Sequence, residues 1–458
     1  MRFFDSAIKH IHLIGIGGIS MSAIAKILHH EGYTVSGSDF QDSHLLQELK
    51  SQGMIVYPSH EASQIEGAHM LIYSSAISAD NPELLQAKHL GLPIMTRSQF
   101  LGFLTRQFVH SIAISGTHGK TTTTTMTAAL LRDTPLDPIV LVGAEVESFG
   151  GNLLLGRGET IINEACEYKR SFLDFDYNLG VILNIEADHL DYFSDLDEIK
   201  ETFITFANGA RKPAVMVLNM DDPVVRSIRD AISPMVITYS MKEEADVHLE
   251  NLSYDQGYPR YDLYYNGQFV RTIKLSMPGE HNVSNSLAAI ASALCLIDEP
   301  DYQALEQLTG PKRRLERRGS YAGAILFEDY AHHPSEIKTS LKTLRTMFKD
   351  RELITVFQPH TYTRTHSLLR EFSESFDDAD QVILTPIYAA REKNTLDIHS
   401  EDLQKLLVER GVHAHYHQDL HELALSLKEE LSPEKVLVVM GAGDIYHLFD
   451  ELKEESCD

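Results

Sequence analysis

Gly116-Thr117-His118-Gly119-Lys120-Thr121 stands between an apolar run, Val109 to Ser115, and a helix-forming run rich in threonine. Glycines at 116 and 119 let backbone N–H groups turn inward around anionic oxygens, and the following helix presents its positive end to the same point. Lys120 then reaches terminal phosphates and Thr121 offers a hydroxyl to Mg2+, with Thr117, His118 and Thr122 completing the cradle. The full pattern G-x-x-x-x-G-K-[ST] needs a glycine at 114, where the chain has Ile114. Strand, glycines, lysine and helix still agree on a phosphate-binding loop for a nucleoside triphosphate.

A second glycine turn, Gly15-Ile16-Gly17-Gly18, also follows a strand and opens a helix, and Asp39 closes the next strand in SGSD. The third glycine of G-x-G-x-x-G is replaced by Ser20, so a nucleotide diphosphate fits better than NAD. Ser74, Ser75 and His60 are further contacts at the carboxyl edge of that sheet. After later strands come Glu164 and Glu167 in NEACEY and His189 in NIEADHLD. A cation bridging terminal phosphates needs hard oxygens or an imidazole at such strand ends, which makes Thr121, Glu164 and His189 the metal candidates. His281, Asn282 and Asn285 cluster at a helix start, where a base or ribose contact competes with simple capping for Asn282. Further on, Arg313 and Arg314 lie in KRRLE, Asp329, His332 and His333 in EDYAHHP, and His360 and Arg364 in PHTYTRT. Arginines there suit carboxylate or phosphate through forked donors, whereas Arg317 and Arg318 read as surface charge.

These groups need a scaffold with many strand ends. The 458 residues allow about three domains. The first hundred alternate short apolar strands with helical patterns, as in a doubly wound parallel sheet. The phosphate loop opens a second α/β unit. Residues 235–277 turn β-rich, with Asn266-Gly267 as a hairpin signal, and a third alternating region begins near Leu308. A helix is expected over Ser367 to Phe376, and Pro334 is expected in a first helical turn.

Forty basic against 66 acidic residues give a net charge of −26, which disfavours nucleic acid and anionic lipid as partners. No stretch reaches the roughly 20 apolar residues of a membrane helix, and the N-terminal residues lack the order of a secretory signal. A cytoplasmic monomer or homodimer is expected. Cys166, Cys295 and Cys457 show neither paired metal-ligand spacing nor a disulfide framework, and Cys166 reads as a packed thiol.

Across nearly its whole length the chain resembles the Mur ligase family of peptidoglycan precursor synthesis. The likeness runs through GIGGISMSAIA, SGSD, GTHGKTTTT, EACEYKRSFL, NIEADHLDYF, DDPVVR, GEHNVSNSLAA, KRRLE, DYAHHPSEIK, FQPHTYTRT and GAGDI. It implies three α/β domains: a Rossmann-like UDP-sugar domain over residues 1–107, a central P-loop ATPase domain with an antiparallel extension over 108–308, and a Rossmann-like domain for amino acid and nucleotide over 309–458.

Carried over by motif, Gly15, Gly17, Gly18, Ser38 and Asp39 hold the UDP-sugar, with Ser74 and Ser75 nearby. Lys120, Thr121, Glu164 and His189 act on ATP phosphates and Mg2+, Asn285 on adenine, and Arg314 and Asp329 on the nucleotide. His332, His333, His360 and Arg364 face the reacting carboxylate and the amino acid; Lys120, His332, His333 and Arg364 form the implied catalytic set, with His332 or His333 as the candidate general base. Within the family the motifs are most similar to members that join L-alanine to UDP-N-acetylmuramate. The alternatives are the members that attach a preformed tripeptide to the same sugar, and a regulator that binds nucleotide without ligation. An NAD-dependent oxidoreductase is disfavoured by the loop at 116–121. Two departures stand out: Cys166 where the family often has an acid, and no counterpart near Phe203 and Ile204 of the carbamylated lysine some relatives carry.

Overall fold

Runs such as Ile11 to Ile14 and Ile112 to Ser115 are buried along their length, as parallel strands covered by helices on both faces require. A computed structural model describes residues 3–452 except 5, 41, 42, 191 and 391; Cys457 and the acidic tail around it lie outside the described residues. The chain folds as two compact units. One comprises residues up to Ile185, Lys200–Val247 and Leu287–Ala304, and the other Glu186–Ile199, His248–Ser286 and Leu305 onward.

In the first unit, five parallel strands run in the spatial order Ile55–Tyr57, Thr34–Ser38, His10–Ile14, Met70–Tyr73, Ile94–Thr96. The order reverses beside His10–Ile14, where such sheets leave a crevice for ligands. Seven more strands run Met235–Ser240, Val215–Asn219, Leu179–Ile182, His110–Ser115, Thr160–Glu164, Ile139–Val146, Gly151–Leu154, parallel except for the last pair. His110–Ser115 therefore ends between two neighbours whose own ends carry Asn184 and Glu164. The helix after it, Lys120–Arg132, buries every residue from Thr121 to Leu131. Its threonines are accommodated because hydroxyls bond back to the preceding turn, Thr125 Oγ1 to Thr121 O at 2.9 Å and Thr127 Oγ1 to Thr123 O at 2.8 Å.

In the second unit, six strands run Glu316–Tyr321, Ala324–Asp329, Lys435–Met440, Glu352–Phe357, Gln381–Leu384, Ala414–Tyr416, antiparallel only in the first pair. Helices pack two apolar clusters on its faces, one around Leu341, Phe357, Phe372 and Phe376, the other around Val439, Leu423 and Leu448. The expected hairpin joins Tyr258–Tyr265 to Gln268–Lys274, with Asn266 and Gly267 both at positive φ. Pro334 opens the helix Pro334–Met347. The helix expected over 367–376 is instead two short ones, Tyr362–Ser367 and Leu369–Ser373, parted where Leu368 leaves helical geometry to join the core.

Candidate active site

The turn after His10–Ile14 is tied down by backbone bonds, Gly15 N to Ser38 O at 2.8 Å and Ser74 N to Ile14 O at 3.2 Å. Gly15 takes a φ of +80° against Ser74. At Gly17 a Cβ would lie 3.0 Å from Asp39 Oδ2, the oxygen that accepts the Gly17 N–H at 3.0 Å, so the acid closes on the turn because glycine leaves room. Gly18 caps the helix Ile19–His30. Ser74 Oγ accepts from Ala76 N at 3.3 Å, with Ser75 exposed beside it. Ser38 is fully buried and turned the other way, donating to Glu83 Oε2 at 2.6 Å.

The loop at 116–121 forms around Asn184. Asn184 Oδ1 accepts from His118 N at 2.7 Å, its Nδ2 donates to His118 O at 3.1 Å, and its carbonyl accepts from Thr117 N at 3.1 Å. Gly116, at φ +141°, passes so close that a Cβ would sit 2.9 Å from Leu183 Cβ; Gly119, at φ +83°, caps the helix that begins with Lys120. Lys120 Nζ donates to the carbonyls of Gly116 and of Thr117, the latter at 3.0 Å, and pairs with Glu167 Oε2 at 3.1 Å. Burial alone would lower the Lys120 pKa, but Glu167, with Cys166 and Glu164, carries it above the ordinary value. Burial, reinforced by Glu167, pushes the Cys166 thiol up, which favours the protonated form. Thr121 Oγ1 donates to Glu164 Oε2 at 3.1 Å, and Glu164 Oε1 accepts from Gly143 N at 2.6 Å. A hydroxyl and a carboxylate held together beside a phosphate loop are a hard-oxygen pair of the kind Mg2+ takes.

The remaining sequence-predicted residues lie in the second unit, so the metal candidates are divided, Thr121 and Glu164 in one unit and His189 in the other. His189, at φ +56°, donates its N–H to Asp188 Oδ1 at 2.7 Å. The same oxygen accepts from Arg364 Nη2 at 3.1 Å. Burial would raise the Asp188 pKa, yet Arg364, with His189, His333 and His332, holds it well below the usual carboxylate range. Arg364 Nη1 is 3.3 Å from His360 Nδ1, and the His360 ring lies 5.9 Å from that of His332. Burial lowers His332 and His360 to about 4, with Arg364 acting in the same direction, so both are neutral at physiological pH. His333 caps the helix Pro334–Met347 and stands 3.8 Å from Glu186 Oε2, which also accepts from Ser335 Oγ at 2.5 Å.

At the end of Ala324–Asp329, Asp329 accepts from Ser340 Oγ at 2.5 Å and Ala331 N at 3.1 Å, and burial pushes it up to about 6. Arg314 lies over the Tyr330 ring at 5.2 Å and 3.6 Å from Glu336. Asn285 Nδ2 donates to Asn282 Oδ1 at 3.2 Å, and burial followed by Arg314 brings His281 down to about 4.

Sequence reasoning passed over Asn184 and Asp188. Asn184 follows a strand directly and was open to the strand-end argument applied to Glu164. Asp188 carried no signal of its own, because its partner Arg364 is 176 residues away.

Sequence profiles match the chain in three consecutive stretches: the Mur ligase family catalytic domain over residues 10–109, the Mur ligase middle domain over 114–293 and the Mur ligase glutamate ligase domain over 313–443. The UDP-N-acetylmuramate–L-alanine ligase of Caldicellulosiruptor bescii is 45% identical over 440 residues, 95% of this chain and 96% of that protein. That of Caldanaerobacter subterraneus is 40% identical over 451 residues, 98% of each. Among solved structures, the UDP-N-acetylmuramate–alanine ligase of Thermotoga maritima superposes with a TM-score of 0.82 at 28% identity, covering 97% of this chain and 98% of that one. A murein peptide ligase from Psychrobacter arcticus shares the fold at a TM-score of 0.75 and 22% identity, over 97% and 98%.

Proposed function

The chain belongs to the Mur ligase family, and from that premise we propose that it joins L-alanine to the lactoyl carboxylate of UDP-N-acetylmuramate with ATP, through an acyl phosphate. One observation carries the reading: similarity to L-alanine ligases extends over nearly the full length of both chains, across both the phosphate loop and the Asp188–Arg364 cluster. In this reading the UDP-sugar is held by residues 1–107, ATP by 108–308, and the amino acid and part of the nucleotide by 309–458.

Negative charge collects on oxygen at each stage, as the carboxylate attacks the γ-phosphate and as the alanine amine then attacks the acyl phosphate. The protein's work is fixed positive charge and alignment. Lys120, held above its ordinary pKa by Glu167, stays cationic and exchanges that partner for phosphate oxygens. Thr121 and Glu164 would hold Mg2+ through hard oxygens, with His189 as a third candidate, and the ion would supply neutralisation of phosphate charge. Asn285 serves adenine, and Arg314 and Asp329 the rest of the nucleotide. Arg364, His333 and the neutral His332 and His360 take the amino acid and the reacting carboxylate, one of His332 and His333 receiving the ammonium proton.

Among the described residues no helix is long and apolar enough to cross a membrane; a cytoplasmic enzyme acting on small molecules, as monomer or homodimer, is part of the same proposal. The test is phosphate release with Mg-ATP and UDP-N-acetylmuramate while alanine, glycine, serine and a preformed tripeptide are offered in parallel. Alanine is expected to give the largest kcat/KM. Preference for the tripeptide moves the chain to the peptide-recycling members, and nucleotide binding without amide product overturns the ligase reading.

A further inference from the structure

The edge strand of the six-stranded sheet carries a group that the chemistry above does not use. His413, His415 and His417 recur at every second position of HAHYH, and a strand turns alternate side chains to one face. Ala414, between the first two, is 5% exposed and packs into the apolar cluster around Leu341 and Phe357, so His413 and His415 stand on the opposite side, where both are exposed. Ladder bonds hold the backbone around them: His413 O accepts from Val382 N at 2.9 Å, and His417 N donates to Leu384 O at 2.9 Å. The strand Ala414–Tyr416 pairs only with Gln381–Leu384, His415 in register with Ile383.

On this fixed backbone the two rings meet. His413 Nε2 and His415 Nε2 are 2.8 Å apart, with the ring centroids 4.4 Å apart and the planes turned by 83°. A straight N–H···N bond of that length would hold the centroids about 5 Å apart, because each nitrogen lies roughly 1.1 Å from its centroid. The rings are therefore inclined to each other and share a proton poorly. Two nitrogens bound to one ion at about 2.0 Å and about 90° apart also lie about 2.8 Å from each other, whereas a tetrahedral angle sets them at about 3.3 Å. The pair has the spacing of adjacent ligands on a tetragonal ion, and a neutral imidazole ligates through Nε2 as readily as through Nδ1.

We propose that His413 and His415 form a chelating site for a divalent transition-metal ion of tetragonal preference, Cu2+ before Ni2+ and Ni2+ before Zn2+, with water completing the coordination. Imidazole nitrogens select such ions over Mg2+, which takes oxygen, so the site differs in kind from the Thr121 and Glu164 pair. Holding two positions of one strand to a single ion also stiffens a sheet edge that has a neighbour on one side only. The site stands independently of the ligase reading.

Calorimetry and electron paramagnetic resonance of the full chain with Cu2+ test this. Mg2+ and physiological salt are present to suppress loose binding to a chain of net charge −26, and pH is held above the ordinary imidazole range of about 6.5. One Cu2+ is expected to bind about tenfold tighter or more than any further equivalent, with couplings from two imidazoles in the pulsed spectrum. His413→Gln and His415→Gln are each expected to weaken that ion by about tenfold or more and to leave coupling to one imidazole. Tight binding that survives both substitutions, or weak uptake spread over the chain's 23 histidines, overturns the proposal. A wild-type spectrum with one imidazole or none overturns it whatever the variants do, and Zn2+ bound more tightly than Ni2+ refutes the tetragonal assignment. Alanine-dependent phosphate release is expected to be equal in wild type and both variants. A chain that takes up the ion without forming amide loses only the ligase reading, and an active ligase without the two-imidazole signal loses only this site.

Discussion

Gly15–Gly18 and Gly116–Gly119 both follow a buried parallel strand and both hand the chain to a helix, yet the side chain each turn holds closest differs in sign. The N–H of Gly17 lies on the carboxylate of Asp39, whereas the second turn is closed by the ammonium of Lys120 folded over its own carbonyls and paired with Glu167. Glycines and a helix N-terminus supply N–H donors in both cases. What separates the ligands is the charge that closes the turn. An acid at the strand end suits hydroxyls such as those of a ribose and repels a phosphate brought too near, while a half-buried lysine with a hydroxyl and a second carboxylate in reach suits a triphosphate and its cation.

The largest expected effect breaks one turn and spares the other. Lys120→Ala should cut phosphoryl transfer by about 10²–10³-fold or more, while UDP-sugar affinity, measured by calorimetry without ATP, stays at the wild-type value. Loss of UDP-sugar affinity by the same factor would mean that the two turns do not bind separate ligands. Because Glu167 is 3% exposed and loses its cation, this variant should also melt earlier, so binding is read well below its Tm.

Glu164→Gln should act next most strongly. The amide keeps the shape but gives up the charge that faces Thr121, so the Mg2+ concentration for half-maximal activity should rise by roughly 10- to 100-fold, with saturating Mg2+ restoring part of kcat. An unchanged Mg2+ titration would remove Glu164 from the cation. On the first turn, Gly17→Ala places a Cβ 3.0 Å from Asp39 Oδ2 and 3.1 Å from Leu46 Cδ2. Prising the acid away should weaken the UDP-sugar by about tenfold, or about 1.4 kcal/mol, and leave the KM for ATP unchanged.

How far these turns were legible in sequence follows from how local their chemistry is. Strand, glycines, lysine and helix start are contiguous between residues 109 and 126, and the same holds for Gly15–Gly18, so pattern and spacing were enough to find both. Local pattern could not show which way Ser38 points. Its hydroxyl is set by Glu83, 45 residues on, in the first turn of a helix outside the motif. Cation pairing was hidden for the same reason: Lys120 with Glu167 spans 47 residues and Arg364 with Asp188 spans 176. The strands Ile139–Val146 and Gly151–Leu154, which bring Gly143 to Glu164, were not singled out in sequence because Gly143, Gly150 and Gly151 interrupt their alternation.

A strand-to-helix turn without glycine sharpens the same contrast at smaller amplitude. After Ala324–Asp329 the chain reaches its helix through Tyr330 to His333, and the closing acid, Asp329, is buried and lifted to about 6 from an ordinary 3.8. Between those two values the folded protein binds a proton that the unfolded chain does not, so the contribution of Asp329 to stability grows as pH falls from about 6 towards 4 and is smallest above pH 6. Asp329→Asn removes the ionisation while keeping an acceptor for Ser340 or Ala331. The variant should therefore gain stability relative to wild type as pH rises, by about 2 kcal/mol between pH 4 and pH 8, while losing ligase activity. The neighbouring His281 and His332, both near 4, pull the other way, since they destabilise the fold as pH drops below the ordinary imidazole value. Both proteins carry them, so urea unfolding followed as the difference between wild type and variant isolates the acid. Two stability curves that run parallel across that range would show that Asp329 is ionised throughout, and that this third turn is closed by charge as the Gly17 turn is.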